Sequence, residues 1–311
     1  MARLASTVLV VALLAATATA FALTEGLKLE PSPILGTDVA KVFSPVCECE
    51  SAEARISFRL RRADRLDIAL VDSDGNTVAT PIRGRHFPRG RVVVRWDGVG
   101  ADGQLLPEGE YRPRVHLRQA RRTIVLPNPI EIDVTPPAIE SVRLSRRVFS
   151  PDGDGRSDRV LVRYELGEEG RGLLFVNGRR RGLTRFPRTE DRVTWNGRQN
   201  SEGLPAGVYR IQLSARDPAG NLAVRTKPTT VVIRYVALGR SRVVTTGAAR
   251  FAIRVSADAR RVRWTLGARS GSARPGTLRL RAPRQKGRYT LLVSANGHTA
   301  RAAVFVREPS R

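Results

Sequence analysis

Residues 96–111 read WDGVGADGQLLPEGEY, and residues 195–209 read WNGRQNSEGLPAGVY. Both run from Trp through Asp or Asn and Gly, then a polar stretch, to Leu-Pro-x-Gly-x-Tyr. Outward from these two stretches the match continues, which marks an internal repeat. Phe43-Ser44-Pro45 recurs as Phe149-Ser150-Pro151, and VCECESAEARISFRL then runs against DGDGRSDRVLVRYEL without a gap. Ile56, Phe58 and Leu60 fall on Val162, Tyr164 and Leu166, with the period-two alternation of a strand that buries one face. DIALVD (67–72) and GLLFVNG (172–178) are predicted strands ending in turns, at Asp74-Gly75-Asn76 and at Asn177-Gly178. VVVRW (92–96) and RVTW (192–195) each close on a Trp. The chain thus carries two copies of one unit of roughly a hundred residues, about 38–135 and 138–234, with Thr135-Pro136-Pro137 at the junction.

The repeated stretch reads as a structural connection. After the Trp strand the chain turns through positions that Gly and Asn tolerate best. It then crosses to the facing sheet and enters a strand at Gly-x-Tyr. In the second copy that strand is Tyr209-x-Ile211-x-Leu213-x-Ala215, apolar on one parity. A Tyr so placed resembles the tyrosine corner of immunoglobulin-like sandwiches, where the hydroxyl ties back to nearby backbone. The competing reading gives the exposed Asp97, Asp102, Glu108 and Glu202 a binding role.

The Trp-Asp/Asn-Gly, Leu-Pro-x-Gly-x-Tyr and strand sequence resembles the immunoglobulin-like domain of the flagellar hook-capping protein, a module that recurs in secreted bacterial proteins. The resemblance covers both copies and is more specific in the second, where Asp217-Pro-Ala-Gly-Asn221 matches the strand-end turn. It implies a β-sandwich used as spacer or docking surface. The first copy departs from the pattern: no such turn follows, and Pro113 interrupts its final strand, which should then lie at an edge or a bulge.

Beyond Tyr235, FAIRVSA (251–257), VRWTL (262–266), TLRLRAP (277–283), GRYTLLVSA (287–295) and ARAAVFV (300–306) keep strand periodicity, with a Gly-x-Tyr of their own at Gly287 and Tyr289. A third, divergent sandwich is expected. The fold class is all-β: tandem immunoglobulin-like β-sandwiches over 27–135, 138–234 and 236–311, behind a hydrophobic signal or anchor helix in residues 1–26. Leu4–Leu23 is uncharged and apolar, fitting a signal peptide with Ala18-Thr19-Ala20 as cleavage site, or a single membrane span if uncut. Either way, Leu27 onward is expected outside the cytoplasm, secreted or held at the cell envelope.

The formal charge is +25, and all but four of the 54 basic residues are Arg. That excess fits either GC-rich coding or attraction to a polyanion. An exported chain does not meet nucleic acid as its normal partner, which leaves anionic wall polymer, lipid headgroups or another envelope protein. The charge is also uneven: from Ala237 to Arg311 there are 17 basic residues against Asp258 and Glu308. Arg261 and Arg263 share one strand parity and Arg279 and Arg281 another, so these four are the candidate polyanion contacts.

Catalysis finds little footing. His86, His116 and His298 sit in no nucleophile or metal-ligand spacing, and no Gly-x-Ser-x-Gly, Walker or dinucleotide motif occurs. His116 lies on an outward parity and reads as a surface histidine. No cofactor is expected beyond a candidate Ca²⁺ site at Asp152, Asp154 and Asp158 in SPDGDGRSD, against the alternative of a plain Asx-type turn. Cys47 and Cys49 fall opposite Gly153 and Gly155 and are expected to form a disulfide fixing their loop, with an intermolecular bond, free thiols or a bound metal as alternatives. The sequence reading is a non-catalytic structural or interaction protein of the bacterial cell envelope. Its alternative is an adhesin-like wall-polymer or glycan-binding module, which would need aromatic platforms, whereas Trp96, Trp195 and Trp264 all carry core parity.

Overall fold

The computed structural model describes residues 9–21 and 31–308. They fall into two compact units, Met1–Val134 and Thr135–Arg311. Residues 9–21 are helical and exposed throughout, with the Thr17 and Thr19 hydroxyls donating to the carbonyls of Leu13 and Ala15. Among the described residues no helix is long and apolar enough to cross a membrane. The rest of the Leu4–Leu23 stretch lies outside the described residues.

The first unit holds β1 (Ile34–Val39), β2 (Val42–Phe43), β3 (Ala54–Leu60), β4 (Asp64–Val71), β5 (Thr77–Phe87), β6 (Gly90–Trp96), β7 (Gly109–Leu117), β8 (Arg122–Val125) and β9 (Ile130–Ile132). One sheet runs β1-β3-β6; the other runs β2-β9-β7-β4-β5, with β8 beside β7 and β2 parallel to β9. The first strand is split between the two sheets, as in immunoglobulin-like sandwiches. The alternation read from the sequence sets the faces: Ile56, Phe58 and Leu60 of β3 and Val92, Val94 and Trp96 of β6 point into one core with Ile68, Leu70, Val115 and Ile130. Each such side chain contributes about 1.5–3 kcal/mol on burial.

Pro113 is not at an edge. Its strand β7 is internal, paired with β4 on one flank (Leu70 opposite Pro113). On the other flank β9 pairs as far as Tyr111 and β8 begins at Arg114. The proline occupies the break between two partner strands, so the ladder is already interrupted where its ring stands.

The second unit contains two hydrophobic cores. Around the first of these lie β10 (Ile139–Leu144), β11 (Val148–Phe149), β12 (Val160–Val176), β13 (Arg179–Leu183), β14 (Arg188–Trp195), β15 (Arg198–Gln199), β16 (Glu202–Gly203), β17 (Gly207–Arg216) and β18 (Thr229–Ile233). Two separate strands were expected over 160–178; the chain instead forms the single 17-residue β12. Its first half pairs with β10 and β14 and its second half with β13 and β17. At the passage between sheets the Tyr164 hydroxyl accepts from Gly172 N at 3.0 Å, and a Cβ on Gly172 would lie 2.5 Å from the Tyr164 ring. Glycine there lets one strand serve both sheets. The Asn177-Gly178 turn has positive φ at both residues, 47° and 79°, which matches the twist of the hairpin it closes.

Around the last core lie β19 (Val236–Leu238), β20 (Arg242–Thr246), β21 (Arg250–Ala257), β22 (Val262–Leu266), β23 (Arg269–Ala273), β24 (Gly276–Arg281), β25 (Gly287–Ala295) and β26 (His298–Arg307). The sheets run β19-β21-β24 and β20-β26-β25-β22-β23, with β20 parallel to β26. That is the strand order of the first unit again.

Candidate functional sites

The repeated connection is built as a joint. Trp96 packs between Phe43 and Tyr111, with ring centroids 5.5 and 5.7 Å away; Trp195 packs between Phe149 and Tyr209, at 5.0 and 5.4 Å. The Gly after each Trp-Asp/Asn has positive φ, 81° at Gly98 and 60° at Gly197, and lies under the Phe ring, where a Cβ on Gly197 would be 2.6 Å from Phe149 Cζ. The Tyr111, Tyr209 and Tyr289 hydroxyls donate to the carbonyl four residues back, at 2.9, 2.8 and 3.0 Å. The tyrosine corner is thus present in all three sandwiches. Acidic residues of the connection serve the backbone: Asp97 accepts from Val99 N, Asp102 from Gln104 N and Glu108 from Val134 N. Glu202 is exposed on β16.

The loops before β3 and β12 share a frame, with Ser44 N bonded to Ser51 O and Ser150 N to Ser157 O. In the second, the two Asp158 carboxylate oxygens accept from Gly153 N and Gly155 N at 2.8 and 2.7 Å. At the matching positions of the first, the Cys47 and Cys49 sulfurs are 2.06 Å apart. Where one copy ties these two positions with a carboxylate, the other brings two sulfurs together. Asp158 thus serves its own loop, as do Asp152, which accepts from Asp154 N and the Ser150 hydroxyl, and Asp154, which accepts from Arg156 N.

Asp152 and Asp154 also meet a residue that sequence reasoning passes over. One carboxylate oxygen from each of Asp152, Asp154 and Asp258 lies within 4.8 Å of the others. Asp258 comes from the loop between β21 and β22, about a hundred residues away. Beside it the β25–β26 turn brings Asn296, whose Nδ2 donates to Asp152 Oδ2 at 3.1 Å and Asp154 Oδ2 at 3.0 Å. The next residues add a stacked pair, His298 over Tyr235 at 3.5 Å, with the Tyr235 hydroxyl on Leu204 O. Both Oδ atoms of Asp258 are sealed from solvent, and the donors near them are the Ser150 hydroxyl and the residue's own backbone N–H. That burial, and then the charges of Asp152 and Asp154, push its carboxyl up to about 6. One sequence signal existed: Asp258 is one of two acidic residues in the last 75 positions.

The four candidate arginines do not form one patch. Arg279 and Arg281 lie on the exposed face of β24; Arg261 precedes β22 and Arg263 is on β22, in the other sheet. Arg261 is also engaged, donating to Ser272 Oγ and O. Strand parity fixes a face within one strand and says nothing of which sheet that strand joins. Beside Arg279 and Arg281 the structure adds Arg250 and Arg254 of β21, with Arg250 directly opposite Arg281. All four are exposed, and none makes a side-chain hydrogen bond or ion pair among the described residues. The two carboxylates of this segment are elsewhere: Asp258 at the aspartate cluster, Glu308 paired with Lys286 at 3.5 Å. Like charges opposite one another across strands are destabilising.

His116 Nδ1 meets Thr123 Oγ1 at 2.9 Å, while the carboxylate across from it, Asp67, is held by Arg118 and Gly84 N. Trp96 and Trp195 are buried and Trp264 is half-buried against its core.

No protein-family model matches the sequence, and no curated protein matches it. Among solved structures, the Clostridium thermocellum CbhA fibronectin(III)-like modules are 14% identical, covering 55% of this chain and 94% of that one, at a TM-score of 0.23. A structure of a 1.5-MDa bacterial ice-binding adhesin is 13% identical, covering 90% and 100%, at 0.28. The Bacteroides ovatus mixed-linkage glucan protein SGBP-B is 14% identical, covering 90% and 69%, at 0.22. Overlap this slight carries no argument about function, and the sandwich assignment rests on the strand pairing above.

Proposed function

We propose that this chain is a non-catalytic, extracytoplasmic interaction protein of the bacterial cell envelope, in which three sandwich modules, the first two of hook-capping type, act as spacer and the last docks on an anionic wall polymer. The apolar Leu4–Leu23 stretch supports export. The observation that carries docking is the carboxylate-free face of Arg250, Arg254, Arg279 and Arg281. Successive outward positions on a strand are about 7 Å apart. Such a row presents guanidinium forks to repeated phosphate or carboxylate groups, each able to take two parallel hydrogen bonds. The anion also offsets the repulsion that the bare face carries.

The test is binding of the full chain to purified anionic wall polymer and, in parallel, to anionic phospholipid vesicles, across a salt series. Polymer binding should weaken steeply as the Debye length falls from about 30 Å at 0.01 M salt to about 8 Å at 0.15 M. Replacing Arg250, Arg254, Arg279 and Arg281 by Gln should abolish it, while the Arg261→Gln, Arg263→Gln pair retains it. Salt-independent binding, equal binding by the quadruple variant, or preference for vesicles refutes this docking role. Fractionation that finds the protein only in the cytosol refutes the envelope assignment.

A further inference from the structure

We infer that the outer face of the five-stranded sheet in the third sandwich docks on an anionic lipid surface. The other sheet of that sandwich carries the four arginines assigned to polymer. The inference rests on the envelope location proposed above and uses none of those four.

Parity and register place the residues. On β26, Ala302, Val304 and Val306 are buried, so Arg301 and Phe305 point outward. On one flank Arg288 of β25 stands opposite Phe305; on the other, Arg242 and Val244 of β20 stand opposite Ala303 and Phe305. Farther along, Arg263 of β22 pairs with Ser294 of β25 on the same outward parity. The four arginines are exposed, Val244 is 45% exposed and Phe305 is half-buried. None of the five strands carries Asp or Glu. Among the described residues no hydrogen bond or ion pair engages these guanidiniums. Arg242 and Arg288 instead lie over the Phe305 ring, 4.6 and 5.7 Å from its centroid.

Charge calls for an anionic partner, because four cations with no carboxylate among them repel one another until an anion offsets them. The apolar pair then chooses the kind of anion. Between the arginines of the β21–β24 face stand only Ala252 and Thr277, whereas this face sets Val244 and Phe305 among its cations. A hydrated polymer gives such side chains nowhere to go. A lipid interface takes both kinds of group, cations among the headgroups and apolar side chains at the acyl boundary. Stacking on Phe305 holds two guanidiniums in place while leaving their N–H groups for headgroup phosphates, which they grip with paired hydrogen bonds. Polymer remains the tighter ligand of the whole chain, because its linked charges arrive together whereas lipids are recruited singly.

The experiment introduces Phe305→Trp into the full chain and follows emission with vesicles of phosphatidylcholine, alone or mixed equally with phosphatidylglycerol, with and without brominated acyl chains. The uncharged Leu4–Leu23 stretch is apolar enough to hold the chain on either vesicle, so the fluorophore is what reports the face. Expected are a blue shift and bromine quenching with the anionic vesicles alone, weakening as the Debye length falls from about 30 to about 8 Å. Replacing Arg242, Arg288 and Arg301 by Gln should lower the docking constant about a hundredfold, since each arginine near such a surface is worth about fivefold. The same triple change without Phe305→Trp should remove the excess of anionic over neutral vesicle binding in flotation. The variant with Arg250, Arg254, Arg279 and Arg281 replaced should dock on vesicles like its parent, which separates failure of this inference from failure of the polymer reading. Equal emission with both vesicles, absence of bromine quenching, or quenching untouched by the triple change overturns the inference. Quenching lost in the quadruple variant also overturns it, because the contact would then belong to the other sheet.

Discussion

The three tyrosine corners repeat one hydrogen bond in three settings, and so offer a controlled test of what such a bond contributes. Each hydroxyl donates to the carbonyl four residues back over 2.8–3.0 Å. What differs is solvent access: Tyr111 is 7% exposed, whereas Tyr209 and Tyr289 are half-buried. A protein hydrogen bond contributes a net ~0.5–1.5 kcal/mol, toward the upper end where water cannot replace it. Tyr111→Phe should therefore cost about 1–1.5 kcal/mol, and Tyr209→Phe or Tyr289→Phe about 0.5 kcal/mol. Because the modules need not unfold together, the readout is hydrogen exchange by mass spectrometry, peptide by peptide. Protected amides of β4 and β7 should exchange about five- to tenfold faster in Tyr111→Phe; those of β17 and β25 should exchange about twofold faster in their own variants. Equal effects at all three corners, or the smallest at Tyr111, would refute the argument that burial sets the contribution.

Gly197→Ala should be far more damaging than Gly153→Ala. Both residues have positive φ, a backbone cost of about 1–2 kcal/mol for a residue with a Cβ, but only at Gly197 would that Cβ also press on Phe149; equal denaturation midpoints would argue against the Phe-on-Gly joint. Mass spectrometry of the non-reduced protein should find the Cys47–Cys49 peptide two hydrogens lighter than its reduced form, and a covalent dimer in its place would exclude the intraloop bond. Asp67 has its pKa lowered from 3.8, first by the Arg118 hydrogen bond, so its contribution is present above that value and is lost as pH falls through the depressed pKa. Arg118→Gln should therefore melt below the parent at pH 7, with the gap closing as the pH drops below 3.8; a gap unchanged in acid would exclude the ion pair as its cause.

Much of the local structure was legible in the residues. Period-two alternation fixed which side chains of β3, β6 and β12 face inward, because a strand has two faces and water tolerates apolar groups poorly on either. Gly-x-Tyr fixed three corners, since the hydroxyl reaches backbone only four residues away, and Asn177-Gly178 fixed a hairpin through the positive φ that these residues accept. Asp158 shows what spacing leaves open at short range: its position suits a metal ligand or an Asx-type turn, and both of its oxygens accept from backbone N–H groups within five residues. The longer-range facts needed the tertiary structure. Parity could not tell that Arg263 and Arg279 belong to different sheets, nor that the glycines of β12 let one strand serve two. Nor could spacing bring Asp258 to Asp152 and Asp154, because that meeting is set by tertiary packing within the second unit, and sequence separation carries no information about it.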